Sequence, residues 1–395
     1  MRKYLTLIIL LTHLIAKADY WTQKADFGGG TRECAVAFSI NGLGYVGGGL
    51  DSLNNMYIEK SDFWQYDPAI NVWTQKSNIG TTPRPYSIGF SIGNYGYVGL
   101  GNVSDFLKYD PANNTWSQIT TFPGMNRISA SVFVCNSKAY IGLGRDTQSN
   151  AHYYDFWEFD PSNNNWVQKS NFPGVARRAA ITFSINNIGY IGNGYNNAPL
   201  FDSWKYDPVL NSWASIPPCP VLLYSDPGGF SIGNEGYFCL GTMVLDSNMW
   251  MYNSNLNSWT QKTLFPASIR GSFATFTIGS KAYIVGGTHN WFGFTYPLKD
   301  VWEYSPDSVT NTQEVNKSEF KVSIYPNPFI NQLNISSNEK VPLKVILYDI
   351  NMRKLLQKGF TNVAILNTQQ FEKGMYLYEV SSKNGLFKKG KIRKD

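Results

Sequence analysis

Apolar positions in this chain come in short runs of four or five, cut by pairs of Asn, Gly, Asp or Pro, and the arrangement keeps returning. The stretch AVAFSINGLGYVGGG around Phe38 is followed by SIGFSIGNYGYVGLG (Phe90), ASVFVCNSKAYIGLG (Phe133), AITFSINNIGYIGNG (Phe183), PGGFSIGNEGYFCLG (Phe230) and FATFTIGSKAYIVGG (Phe276), spaced by 43 to 52 residues. Seven residues after each phenylalanine stands a tyrosine: Tyr45, Tyr97, Tyr140, Tyr190, Tyr237 and Tyr283. Six residues before it stands an arginine in five copies (Arg32, Arg84, Arg127, Arg177, Arg270), and Tyr224 in the other. Two apolar runs split by an Asn-Gly type pair predict a hairpin of two strands.

A second phrase follows each hairpin. DFWQYDPAINVW begins at Asp62, and DFLKYDPANNTW, DFWEFDPSNNNW and DSWKYDPVLNSW repeat it; NMWMYNSNLNSW is a decayed copy, and DVWEYSPDSV from Asp300 stops short of the last tryptophan. The alternating aromatic run predicts a third strand, Asp-Pro-x-x-Asn a turn, and the tryptophan beyond it a fourth strand. Each unit is therefore a four-stranded antiparallel sheet, the size and composition of a propeller blade. Eleven of the twelve tryptophans occupy the two repeat positions and only Trp291 falls outside them, which makes them packing residues first.

The pattern R-x-x-x-x-x-F, Y-x-x-G-G, W-x-Y-D-P, N-x-W resembles the kelch repeat over residues 20–306. The resemblance implies an all-β fold, a six-bladed propeller spanning 19–306. The incomplete sixth copy is matched by YWTQKADF at Tyr20, which carries the W-T-Q-K found again at Trp73 and Trp259. That fragment is the expected fourth strand of the sixth blade, closing the ring from the other end of the chain and covering its sheet edges.

Residues 1–18, MRKYLTLIILLTHLIAKA, have the basic start, apolar stretch and Ala-Lys-Ala site of a secretory signal peptide, with cleavage expected near Ala18. No other run is long enough to predict a transmembrane segment. Residues 307–319 are polar and free of aromatics, as a linker is. Residues 320–395 alternate in short runs and predict a small β-sandwich. Their YPNPF (Tyr325 to Phe329), LYDINMRKL, GMYLYEV and terminal KGKIRKD resemble the C-terminal sorting domain of the type IX secretion system of Bacteroidetes-type bacteria. The resemblance implies that the secretion machinery is a partner and that the protein is released or held at the outer-membrane surface.

The net charge of +6 adds little: the tail carries 13 basic and 5 acidic residues, so the repeat region is mildly acidic and nucleic acid is not an expected partner. Four scattered cysteines (Cys34, Cys135, Cys219, Cys239) make no disulfide framework and read as small buried hydrophobes.

Variable loops follow the second strand of each copy, and strand alternation puts them on the same face as the arginines. Variable loops on a rigid scaffold are where ligands bind, here a glycan or a protein. Arg32, Arg84, Arg127, Arg177 and Arg270 either clamp a carboxylate or brace the blades. The residue after each arginine reads Glu33, Pro85, Ile128, Arg178, Ser225 and Gly271, which sets Glu33 and Arg178 opposite each other in a six-fold ring. Tyr153, Tyr154, Tyr195, Trp291, Phe292 and Tyr296 on the loops can stack on sugar rings. Among secreted kelch-like proteins, copper oxidases need a histidine pair and a Tyr–Cys link; only His152 and His289 lie beyond residue 18, so neither metal nor cofactor is expected. Sialic-acid mutarotases, N-acetylneuraminate epimerase-like isomerases, are the enzymatic alternative to a binding module. In that alternative Glu33 is the catalytic acid–base candidate.

Overall fold

The computed structural model describes residues 19–53, 56–220, 228–241, 247, 249–291, 294–306, 322–337, 342–349, 353–382 and 385–395. It contains strands and no helix among those residues. The chain divides into two compact units, Met1–Val309 and Thr310–Asp395.

The first unit has six four-stranded antiparallel sheets among its described residues. The first runs Val36–Ile40, Leu43–Gly47, Phe63–Asp67 and Val72–Lys76, and the next four repeat that order. The sixth is assembled from both ends of the unit: Ala274–Ile278, Lys281–Val285, Val301–Ser305, then Tyr20–Lys24. Trp21 lies opposite Tyr304 and Lys24 opposite Val301 in an antiparallel register. The first strand of each sheet lies against the first strands of its two neighbours, and the first sheet's also lies against the sixth's.

Local chemistry explains why each copy folds alike. Asn41 and Gly42 both have positive φ, 51° and 79°, the geometry of a tight two-residue hairpin turn. At the Asp-Pro turn Asp67 Oδ1 accepts from the Ala69 N–H, and Tyr66 donates its hydroxyl to Asn71 Oδ1 at 2.8 Å. Tyr109–Asn114, Tyr206–Asn211 and Tyr252–Asn257 repeat that bond. In the sixth sheet Tyr304 donates instead to Asp19, which stands two residues before Trp21 as Asn71 stands two before Trp73. Asp19 also accepts from the Thr263 N–H.

Neighbouring sheets are joined by the repeat aromatics. Trp73, Trp116, Trp213 and Trp259 donate their indole N–H to the carbonyls of Ala25, Ser77, Ser170 and Pro217, each just past the outer strand of the preceding sheet. The inner phenylalanine of one sheet packs flat on the backbone of the next. A Cβ on Gly96 would stand 2.3 Å from the Phe38 ring, and one on Gly44 the same distance from Phe276. Glycine is needed at those two positions; in the third and sixth sheets Ala139 and Ala282 stand at the equivalent places. Burying these rings supplies most of the stability, at roughly 25 cal/mol per Å² of apolar surface.

The second unit pairs a three-stranded sheet (Val322–Tyr325, Gln332–Ser337, Val363–Asn367) with a four-stranded one (Lys354–Phe360, Leu343–Tyr348, Gly374–Ser382, Gly385–Lys394). Phe329, Leu333, Ile335, Val345, Leu347 and Val380 form a core shared by both sheets. Lysines on a last strand are ordinarily solvated, yet Lys394 is only 7% exposed. Its ammonium donates to the carbonyls of Ile330 and Thr368, each at 2.6 Å, because Phe329 pairs alongside it and the core closes over its stem.

None of the four cysteines is joined in a disulfide among the described residues, and burial pushes the Cys135 thiol up to about 12.

Candidate functional site

The five repeat arginines are buried, and each meets the aspartate that opens the second phrase of its own sheet. Arg32 reaches Asp62 at 2.8 and 3.0 Å, Arg84 reaches Asp105 at 2.7 and 2.7 Å, and Arg127 reaches Asp155 at 2.5 and 2.9 Å. Arg177–Asp202 and Arg270–Asp300 repeat the two-pronged contact. Four of the five also donate to a carbonyl at the end of the second strand: Gly48, Leu143, Asn193 or Gly286. The same aspartates accept from Trp64, Trp157, Trp204 and Trp302. Burial raises the carboxyls of Asp155, Asp202 and Asp300, but the arginine bonds and charges outweigh it and hold all three below the usual carboxylate range. Phe27, Phe122, Phe172 and Phe265 cover the guanidinium groups at 4.8–5.2 Å, and Tyr153 lies on Arg127 at 4.2 Å.

These arginines are therefore braces within each sheet. With both terminal nitrogens of each on an aspartate, they do not present a clamp for a ligand carboxylate, and Tyr153 belongs to the brace; of the five, Arg84 keeps a buried Nε with no hydrogen-bond partner among the described residues. Tyr154 and Tyr296 are exposed and stand apart from it. The side chain of Trp291 and all of Phe292, Tyr224 and Ser225 lie outside the described residues.

One residue further on, the picture changes. Glu33, Ile128, Arg178 and Gly271 each pair by backbone with the fifth residue after the repeat tyrosine: Leu50, Arg145, Tyr195 and Thr288. Two inner rings thus face each other at the loop end of the strands. Glu33 is buried, and its carboxylate accepts from the hydroxyl of Thr288, which opens a separate hairpin (Thr288–Trp291 with Phe294–Pro297) between the second and third strands of the sixth sheet. A pairing of Glu33 with Arg32 or Arg84 does not occur, because those cations hold Asp62 and Asp105.

Across the third and fourth sheets the rings turn basic. Arg145 pairs by backbone with both Ile128 and His152, and Arg178 with Tyr195, whose ring lies 5.3 Å from the guanidinium. The His152 imidazole is held below its ordinary value by burial and then by the charges of Arg178 and Arg145. Arg145 Nε, Arg178 Nε and His152 Nε2 are buried and have no hydrogen-bond partner among the described residues. Only Nη1 of Arg145 is tied down, to Asn150 Oδ1 at 3.0 Å. Uncommitted nitrogens on two cations and an imidazole are groups whose chemistry suits a hydrogen-bond acceptor of negative charge. Of these residues Arg178 was visible in the sequence, whereas Arg145 and His152 were not. The missing signal is the fifth position after each tyrosine, read alongside the position after each arginine.

No group of His, Cys, Asp or Glu among the described residues is arranged to hold a metal ion.

This architecture defines the class of protein: an all-β chain whose first unit has the fold of a β-propeller. The structure titled "Structure of YjhT" is similar over 68% of this chain and 94% of its own, with a TM-score of 0.57 and 15% identity. The N-acetylneuraminate epimerase of Pasteurella multocida (strain Pm70) is 40% identical over 75 residues, 18% of this chain and 19% of that relative's length. Residues 323–393 match the family model of the secretion system C-terminal sorting domain, which indicates secretion or outer-membrane surface attachment. No helix among the described residues is long and apolar enough to cross a membrane.

Proposed function

We propose that residues 19–306 form a six-bladed kelch-type propeller, sealed by its N-terminal strand, that binds an anionic glycan or acidic protein group at its loop face outside the cell. Residues 1–18 are the export signal, removed near Ala18. Residues 320–395 address the chain to the type IX secretion machinery. The observation that carries the binding reading is the convergence of Arg145, His152 and Arg178, with nitrogens left over for an acceptor. Guanidinium groups match carboxylates in shape as well as charge. Tyr195 beside them supports stacking of a ring. The test is titration calorimetry with N-acetylneuraminate and with sialylated and neutral oligosaccharides. Binding restricted to the acidic probes and lost in Arg178→Gln supports the reading; equal binding of neutral probes, or indifference to Arg178→Gln, ends it.

A second reading is favoured by the local identity to an N-acetylneuraminate epimerase. There the same site would isomerise an acidic sugar, with Glu33 as the proton-transfer group. Glu33 is buried at the loop end and hydrogen-bonded to Thr288. NMR of anomer exchange decides between the two: acceleration that disappears in Glu33→Gln marks an enzyme, and the spontaneous rate marks a binding module.

A further inference from the structure

The opposite end of the strands, where the Asn-Gly hairpins and Asp-Pro turns lie, carries a cleft that neither reading uses. It encloses about 410 Å³ between the first and second sheets, within the usual range of ligand sites, roughly 300–1,000 Å³. The internal repeat shows why it is open there. In the third sheet Lys138 and Glu158 form an ion pair at 2.6 Å, and Tyr140 donates its hydroxyl to the same carboxylate at 3.0 Å. In the sixth sheet Lys281, Glu303 and Tyr283 do the same at 2.6 and 2.7 Å. The corresponding residues of the first sheet are Leu43, Gln65 and Tyr45. No carboxylate is present to take the tyrosine proton, and no lysine reaches across.

Gln65 instead donates from Nε2 to the Tyr45 hydroxyl oxygen at 2.5 Å. Tyr45 is 1% exposed, and both residues line the cleft. The Tyr45 O–H is thus left to donate and the Gln65 amide oxygen to accept. On the far wall Asp110 adds acceptor oxygens, and the Tyr95 ring, 37% exposed, adds an aromatic surface. Lys108 sits on the Tyr95 ring, 3.6 Å from its centroid, and is not among the lining residues. The Asp110 carboxylate and the Lys108 ammonium act on each other across this wall, so its charges balance. One buried donor, two kinds of acceptor and a partly exposed aromatic ring fit a neutral polyhydroxylated ring, whose hydroxyls both donate and accept.

We propose that this cleft is a second binding site, for a neutral saccharide unit, separate from the anion site on the loop face. The decisive variant is the double substitution Leu43→Lys with Gln65→Glu, which transplants the ion pair of the third and sixth sheets and fills the cleft with a group the fold already accommodates. Saturation-transfer NMR of the full chain against maltose, cellobiose, mannobiose and xylobiose is the experiment. Binding of at least one probe is expected, weakened tenfold or more by the double substitution and unchanged by Arg178→Gln. Tyr45→Phe, which removes only the hydroxyl, is expected to weaken the same probe about fivefold, and keeps the test valid should the double variant not fold. No binding by any of the four sugars, or binding that survives both Tyr45→Phe and the double substitution, overturns the proposal. Failure of acidic probes at the loop face leaves this site standing, because its probes carry no charge.

Discussion

Two rings of residues run round the first unit one position apart, and their chemistry differs sharply. Arg32, Arg84, Arg127, Arg177 and Arg270 are alike, buried and bonded to an aspartate of the same sheet. Glu33, Pro85, Ile128, Arg178 and Gly271 share no chemistry, and all but Pro85 pair by backbone at the loop end. Identity from copy to copy follows from a requirement that five of the six copies meet in one way, with a cation that closes the gap between hairpin and third strand. Difference from copy to copy is possible only where no sheet needs a particular side chain. Within one chain, repetition marks the scaffold and departure from repetition marks the positions that the scaffold leaves open to another role.

The strongest way to break that contrast is to remove a brace. Asp155→Ala leaves the Arg127 cation buried beside Phe122 and Tyr153 with no counter-ion. Breaking a buried pair from one side costs about 3–5 kcal/mol, and the 22% exposure of Asp155 puts this case at the low end. Thermal or urea unfolding of the propeller should show the loss, with Arg127→Met plus Asp155→Leu recovering part of it. Asp155, Asp202 and Asp300 all titrate below their unfolded values, so their contribution is complete above about pH 4 and is lost as pH falls through the folded values. Stability of Asp155→Ala equal to wild type would mean that the arginine ring is not structural.

The next ring should respond in the opposite sense. Arg178→Gln and Arg145→Gln are expected to change unfolding free energy by less than about 0.5–1 kcal/mol, since both side chains are only half-buried. Each should weaken acidic-sugar binding about 10- to 100-fold, the worth of a hydrogen bond to a charged group. Calorimetric titration and thermal melts of the same samples separate the two effects. A variant that melts early and still binds would reverse the assignment of the rings.

His152 gives a smaller, pH-dependent test. In the free protein its pKa is lowered by burial, then by Arg178 and Arg145. The unfolded chain takes up that proton first, near pH 6.5, so stability falls modestly as pH drops below that value. A bound carboxylate reverses the preference and draws the proton on. Affinity for an acidic sugar should therefore rise a few-fold as pH falls from 7.5 to 5.5, and His152→Ala should flatten the profile. The imidazole resonances, followed by NMR with and without ligand, report the shift directly; a His152 titration unmoved by ligand would place the anion elsewhere.

How much of this was legible in the sequence follows from the same contrast. The phrases around Phe38 and Trp64 announced strands, turns and the split sixth sheet, because each copy states the same local chemistry and six statements outweigh any one ambiguity. The arginines were legible as a ring but not as braces. Their partners lie 21 to 30 residues away, and nothing in the spacing says that Asp62 turns toward Arg32 while Asp67 caps its own turn. Arg145 and His152 were illegible for a different reason. They sit in a loop whose sequence differs from copy to copy, and only the backbone pairing of Ile128, Arg145 and His152 brings them to Arg178. The burial of Lys394 was not legible, because a charged residue on an edge strand is normally solvated and its two carbonyl acceptors come from distant turns.

The smallest expected effect bears on whether the sixth sheet is equivalent to the others. Asp19 accepts from the Tyr304 hydroxyl and the Thr263 N–H, as Asn114 accepts from Tyr109 and Ser77. Both partners are donors, so a carboxylate and an amide oxygen serve equally. Asp19→Asn should shift the melting free energy by no more than about 0.5 kcal/mol, as surface substitutions do. Asp19→Ala leaves a hydroxyl and an amide N–H without an acceptor at a partly buried position, which costs about 1–2 kcal/mol. Asn114→Ala in the second sheet is the internal control, because the chain there is continuous. Equal losses in the two alanine variants would show that a strand delivered from the far end of the unit is held as firmly as one that follows in sequence. A silent Asp19→Ala beside a costly Asn114→Ala would mean that the N-terminal strand rests on the sixth sheet without holding it, and the closure reading would fall.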